Sequence, residues 1–122
     1  MPGPMPYERF DAWKVTHALA LAIYAATREW PRAEQYGLTA QVRRAALSAP
    51  TNIAEGSAKR GKAEFRRFLD ISLGSLSEVG YLLRFARDAR ILETRNWEEL
   101  QTQRDVAAKQ TWLLARSMSP KL

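Results

Sequence analysis

Apolar residues recur along four stretches of the chain at the spacing of an α-helix, three or four positions apart. In the clearest stretch, Phe65, Leu69, Leu76, Val79 and Leu83 fall on one helical line. No stretch alternates apolar and polar residues for long enough to predict a strand. The pattern therefore predicts four helices, at about residues 12–29, 39–58, 63–89 and 94–117.

The connections between these predicted helices are short. Helices joined by brief turns pack beside their neighbours in sequence, which predicts an all-α fold, an antiparallel up-and-down four-helix bundle. Asp11, Thr39 and Thr94 are the predicted N-caps of the first, second and fourth helices. The corresponding division is an extended N-terminal lead-in at residues 1–10, the bundle at 11–118 and a tail at 119–122.

The second helix carries a proline in its interior. Pro50 lacks a backbone N–H and its ring clashes with the carbonyl of Ala46, so we expect the helix to kink there. Small residues surround the proline and recur in the third helix, which predicts a close approach of these two helices. They are Ala45, Ala46, Ser48, Ala49, Ala54 and Gly56 on the second helix, and Ser72, Gly74, Ser75, Ser77 and Gly80 on the third.

Four polar residues lie among these small ones, namely Asn52, Glu55, Ser75 and Glu78. If they face one another, they form a partly buried structural network that determines the helix register. The alternative is a carboxylate pair for acid–base chemistry or metal binding. Metal sites in bundles use Glu-x-x-His motifs, and none occurs here, so we expect no metal site.

Motifs that carry enzymatic chemistry are missing from the sequence. The chain has no cysteine, which excludes thiolate chemistry and disulfides. His17 is the single histidine, and neither a nucleophile-elbow motif nor a phosphate-binding glycine loop accompanies it. We expect a packed or boundary histidine at this position, and a non-enzymatic protein without cofactors.

Apolar positions exceed what one bundle core requires. The third helix has a second apolar line through Phe68, Ile71, Leu82 and Phe85, and the first is apolar almost all round at residues 18–26. Self-association explains this surplus, and a wide core stripe is the alternative. The apolar run is about half of the roughly 20 residues that cross a bilayer. With no signal-peptide pattern at the start, we expect a cytoplasmic protein that does not enter a membrane.

The net charge is +6, from 19 Lys and Arg against 13 Asp and Glu. This excess favours an acidic partner such as RNA or DNA, although general solubility is an alternative explanation. An up-and-down bundle places nine basic and four acidic residues at one end, and eight basic and seven acidic residues at the other. The candidate phosphate contacts at the more basic end are Lys59, Arg60, Lys62, Arg66 and Arg67.

Any such binding should be independent of nucleic-acid sequence, because no recognition-helix motif or aromatic platform of the RNP type is visible. A solvated charged rim without a nucleic-acid partner is the alternative interpretation.

Two segments have a recognisable pattern: YGLTAQVRRAALSAPTNIAEGSAKR at residues 36–60 and EFRRFLDISLGSLSEV at 64–79. They closely resemble the bacterial four-helix-bundle family of 23S rRNA intervening-sequence proteins, over about residues 7–117. The resemblance implies a bundle that assembles as a homopentamer, and it does not imply a ribosomal role. Gly61 departs from the family pattern, because a Ser or Thr cap for the third helix would be usual there.

Together these observations predict a non-catalytic, homo-oligomeric scaffold, pentameric by its resemblance, with non-specific nucleic-acid affinity through one basic end. A protein-interaction adaptor that binds no nucleic acid is the alternative function.

Overall fold

A computed structural model describes residues 3–119 of the protein. Residues 1–2 of the lead-in and 120–122 of the tail, including Lys121 of the basic end, lie outside the described part. Four helices make up most of the described chain, which contains no β-strand. Their bounds are Asp11–Thr27 for α1, Leu38–Ser57 for α2, Lys62–Asp88 for α3 and Thr94–Ser117 for α4.

The four helices pack as a bundle in which α1 and α3 each contact both α2 and α4. The larger core cluster is formed by aliphatic side chains from all four helices, with Leu19, Val42, Leu76 and Leu83 fully buried and Leu100 nearly so. Burial of these apolar faces is the main source of stability. The arrangement confirms the all-α bundle that the periodicity predicts.

The segments outside the four helices include two short 3-10 helices. Pro6–Arg9 precedes α1, in the lead-in that was expected to be extended, and Arg32–Glu34 lies between α1 and α2. None of the helices between residues 3 and 119 has the length and apolar character that a membrane crossing requires.

The helix starts differ from the predicted caps. Asp11 and Thr94 are the first residues of α1 and α4, and Thr39 is the second residue of α2, so all three predicted N-caps are wrong. Asp11 is still favourable there, since its carboxylate lies in the first turn, at the positive end of the helix dipole. At the start of α2, the Leu38 N–H donates to Glu34 Oε1 at 3.3 Å, which provides a cap from outside the helix.

Gly61 is the N-cap of α3, with φ +81° and ψ 158°. Only glycine adopts this backbone region without substantial strain. A Ser or Thr at this position would add a capping oxygen but would also strain the backbone, so the departure at Gly61 has a conformational reason.

The helix α2 continues through Pro50 without interruption, and Pro50 itself is buried. The kink predicted at this residue stays a prediction.

The α2–α3 contact is close where Gly56 faces α3. A Cβ atom on Gly56 would lie 2.8 Å from Phe68 Cβ and 2.9 Å from a ring carbon of Phe65. Ser72 is fully buried, and its hydroxyl donates to the Ala49 carbonyl at 2.9 Å across the same contact. These two positions show why small residues are needed between α2 and α3.

Two other glycines do not take part in this contact, so the prediction is wrong for them. A Cβ atom on Gly80 would face the Arg104 side chain of α4 at 3.4 Å, and one on Gly74 would meet nothing within 4 Å.

Candidate nucleic-acid interface

Four helix ends meet around the smaller core cluster. Ala12 and Phe65, near the beginnings of α1 and α3, share this cluster with Ile53 and Ala115, near the ends of α2 and α4. These helix ends therefore lie together, and we call this part of the molecule the basic end. Its described residues include eight basic side chains: Arg9, Lys14, Lys59, Arg60, Lys62, Arg66, Arg67 and Arg116.

The connection between α2 and α3 carries three of the predicted contacts. Lys59 and Arg60 lie in the connection after α2, Lys62 is the first residue of α3, and all three are exposed. Among residues 3–119, none of the three has a carboxylate within 4.0 Å. Their charges are therefore available to an external anion.

The side chains of Arg66 and Arg67 differ in their surroundings. Arg67 is exposed, its Nε donates to Glu64 Oε1 at 3.1 Å, and its guanidinium lies 4.7 Å from the ring centroid of Phe68. Lys59 Nζ lies 5.5 Å from the same centroid, so the structure brings Lys59 and Arg67 together at one ring. Arg66 is half-buried, and as the adjacent helical residue it points in a different direction from Arg67.

An exposed tryptophan accompanies the basic side chains. Trp112, near the end of α4, is 50% exposed, and the Arg116 guanidinium lies 5.4 Å from its ring centroid. An accessible aromatic face next to an arginine is a typical stacking site for an unpaired base. This pair is not among the residues predicted from the sequence, and a Trp and an Arg four residues apart on a helix were the available signal.

The predicted polar network is assembled differently from the expectation. Asn52 Nδ2 donates to Ser48 Oγ at 3.0 Å, and Ser75 Oγ donates to the same oxygen at 2.8 Å. Ser48, which precedes Asn52 by one helical turn, thus joins Asn52 to Ser75. Glu55 and Glu78 are exposed, and their carboxylates take part in no side-chain hydrogen bond or ion pair within the described residues.

Side chains that could act as metal ligands do not cluster in the described part of the chain. Between residues 3 and 119, no group of three His, Cys, Asp or Glu side chains is placed to hold a metal ion. His17 is exposed, and its ring stacks on Trp13 with 4.7 Å between the centroids.

The other end of the bundle has a different charge arrangement. There the Asp88 carboxylate accepts hydrogen bonds from Arg87 Nη2 at 2.9 Å and from Arg84 Nε at 3.1 Å. The hydrogen bond from Arg87, followed by that from Arg84, lowers the pKa of Asp88 below its ordinary value despite some desolvation. On this side of the molecule, the acidic residues of α3 and α4 partly neutralise nearby arginines.

The fold and the exposed cations define an all-α four-helix bundle with one strongly basic end. A model of the 23S rRNA-intervening sequence protein family matches residues 8–111, and the chain belongs to this family. A search of curated proteins gave no match.

A solved structure has the same fold. It is a protein of unknown function from the S23 ribosomal protein family of Bacteroides thetaiotaomicron VPI-5482, with a TM-score of 0.80 and 17% sequence identity. The similarity covers 86% of this chain and 95% of that protein.

Proposed function

We propose that this protein is a non-catalytic, cytoplasmic, homopentameric scaffold that binds RNA or DNA without sequence preference through its basic end. The observation that carries the proposal is the group of exposed cations between α2 and α3, Lys59, Arg60 and Lys62, which no described carboxylate neutralises. Cations of this kind bind phosphates and release counterions, which favours association with any nucleic acid.

The contacts at this end suit a phosphate backbone better than base edges. Lys59 and Arg67 both lie over Phe68, which is 9% exposed, so the ring supports the cations and is not itself available for stacking. Trp112 is the accessible aromatic side chain nearest the end of α4, and it would stack on bases of any identity. This combination favours binding that depends on charge and on single-stranded bases, with little sequence discrimination.

Self-association is supported by the outward side of α3. Ile71, Tyr81 and Phe85 are 42%, 65% and 47% exposed there, and Gly74 lies among them with open space around it. Large apolar side chains clustered on one exposed helix side are typical of a protein interface. A second copy of the chain covers this side in the proposed assembly, and the pentameric stoichiometry rests on the family resemblance.

Salt-dependent binding of labelled RNA and duplex DNA tests the nucleic-acid proposal. We expect Arg60→Gln/Lys62→Gln to weaken both by fluorescence anisotropy, because each lost phosphate contact reduces the logarithmic salt slope by about 0.9 for duplex DNA and about 0.7 for single strands. Arg44→Gln/Arg95→Gln removes two charges from exposed sites elsewhere and should leave the slope unchanged.

An equal loss in the control variant would show that only the total charge matters. Flat anisotropy of the wild-type protein at low salt would contradict nucleic-acid binding altogether. In that case the apolar outward side of α3 would favour the adaptor function, with another protein bound at Ile71, Tyr81 and Phe85.

A further inference from the structure

A second positively charged site lies at the end of the molecule opposite to the basic end. A cavity of about 290 Å³ opens between the end of α1 and the start of α2. Arg28, Arg32 and Arg43 line it together with Trp30 and Pro31. We call this cavity the arginine pocket.

Arg43 is held in place by groups that do not neutralise it. Its side chain is half-buried, Nε donates to Thr27 Oγ1 at 2.8 Å, and Nη2 donates to the Tyr24 carbonyl at 3.3 Å. The guanidinium also lies 4.6 Å from the centroid of the Tyr24 ring. A guanidinium has five N–H donors, so most of them remain free after these two hydrogen bonds. These contacts orient the Arg43 guanidinium before any ligand binds, and none of them is with a negatively charged group.

The acidic residues nearby are not paired with the three arginines of the pocket. Within residues 3–119, no carboxylate lies within 4.0 Å of Arg28, Arg32 or Arg43. Glu34 accepts the Leu38 N–H at the start of α2. Glu29 lines a separate cavity, which shares Trp30 with the arginine pocket and also contains Glu93. The positive and the negative side chains therefore line two different cavities, and Trp30 lines both.

We propose that the arginine pocket binds a terminal phosphate group, as found in a phosphomonoester. Three guanidinium groups supply enough donors for the oxygens of a dianionic phosphate, which Arg recognises in a bidentate manner. The volume is near the lower limit for small-molecule sites, so the pocket accommodates the phosphate and only the adjoining part of its ester group. Trp30 and Pro31 provide an apolar wall for that group. The site does not depend on nucleic-acid binding at the basic end.

Calorimetric titration with AMP and with adenosine tests the site. We expect AMP to bind and adenosine to bind at least about tenfold more weakly, since a hydrogen bond to a charged group contributes about 1.5–3 kcal/mol, or roughly tenfold or more in affinity. Arg28→Gln/Arg32→Gln should weaken AMP binding by at least the same factor. Both residues are exposed, so the variant should keep the wild-type circular dichroism spectrum and melting temperature.

Two further variants separate the pocket from general electrostatics. Arg44→Gln/Arg95→Gln removes the same number of charges outside the pocket and should bind AMP within twofold of wild type. Arg43→Lys keeps the positive charge but removes the planar guanidinium that binds a phosphate through two N–H groups. This variant should bind AMP severalfold more weakly. Equal affinities for AMP and adenosine, or an equal loss in the control double variant, would overturn the proposal.

The phosphate could belong to a free metabolite or to the end of a nucleic-acid strand. A short oligonucleotide with a 5′-phosphate and the same oligonucleotide with a 5′-hydroxyl distinguish these sources, both titrated into the Arg60→Gln/Lys62→Gln variant. A preference for the phosphorylated strand, lost in Arg28→Gln/Arg32→Gln, would assign the pocket to strand ends. A preference for AMP over adenosine without this strand preference would assign it to a free phosphomonoester.

Discussion

Two helical glycines lie at opposite sides of α3, Gly56 on the facing helix α2 and Gly74 on α3 itself, and their surroundings differ. On the side that faces α2, Gly56 lets the helices approach so closely that a methyl group there would lie 2.8 Å from Phe68 Cβ. On the side that faces solvent, Gly74 has nothing within 4 Å of the place where its Cβ would be. Both are glycines inside helices, where glycine costs about 0.5–1 kcal/mol relative to alanine. The inner contact of Gly56 offsets that cost within the monomer, and the described chain offers no such contact to Gly74.

The comparison teaches that a glycine in a helical pattern does not by itself identify a helix–helix contact. The sequence grouped Gly56, Gly74 and Gly80 as one set of packing residues, yet they face α3, solvent and α4, respectively. Substitution of single glycines can therefore separate residues that the bundle requires from residues that remain for assembly.

The largest effect is expected for Gly56→Ala. The new methyl group would collide with the Cβ of Phe68, which moves only with the α3 backbone, and with the Phe65 ring. Overpacking of this kind costs about 1–3 kcal/mol, which exceeds the gain in helix propensity. Urea unfolding followed by circular dichroism should show a lower midpoint. A midpoint equal to or above that of wild type would mean that the α2–α3 contact is looser than the structure shows.

A smaller effect is expected for Gly61→Ala, and its cause is different. A Cβ atom at this position would meet nothing within 4 Å, but the φ of +81° is a conformation that alanine adopts only with strain. We expect a loss of about 1 kcal/mol in the free energy of unfolding, measured by urea denaturation. Lys59→Ala, in the same connection, is the control and should have little effect. An unchanged midpoint for Gly61→Ala would show that the start of α3 relaxes to another conformation.

The general fold could be predicted from the sequence because the helical periodicity is sustained over long segments. Residues such as Leu69, Leu76 and Leu83 repeat at intervals that bury one side of a helix, and all three are fully buried. The N-caps could not be predicted, because the residue before each helix is determined by the path of the preceding connection. At α2, for example, the cap is provided by Glu34 from a separate 3-10 helix.

The basic end and the polar network could be predicted in part. The position of Lys59 next to Arg67 depends on how the α2–α3 connection places both over Phe68, which the spacing of charges does not reveal. The sequence pattern marks Ser48 only as a small residue, although its hydroxyl accepts hydrogen bonds from Asn52 and Ser75.

The arginine pocket was missed for a related reason. The net charge of that end of the bundle is close to zero, because its seven acidic residues nearly cancel its eight arginines. In the structure, Asp88 is paired with Arg84 and Arg87 on α3, while Arg28, Arg32 and Arg43 have no described carboxylate within 4.0 Å. Whether an arginine forms an ion pair depends on where the side chains lie in three dimensions. The net charge of a group of residues does not carry that information.

The smallest effect, and the one of opposite sign, is expected for Gly74→Ala. Because the added methyl group meets no described atom within 4 Å, the substitution should raise the free energy of unfolding of the monomer by about 0.5–1 kcal/mol through helix propensity. Urea unfolding at low protein concentration measures this gain, and Gln41→Ala, at an exposed position of α2 away from the outward side of α3, is the control.

The same variant also tests the proposed interface between copies of the chain. If a second copy of the chain packs closely on the outward side of α3, the Gly74 methyl group should weaken assembly in sedimentation velocity experiments while the monomer becomes more stable. Gln41→Ala should leave assembly unchanged. If the Gly74→Ala variant assembled as strongly as the wild-type protein, close packing at this position would be contradicted. The interface would then lie on another side of the bundle. The opposite responses of monomer and oligomer thus distinguish a glycine kept for assembly from one that is merely tolerated.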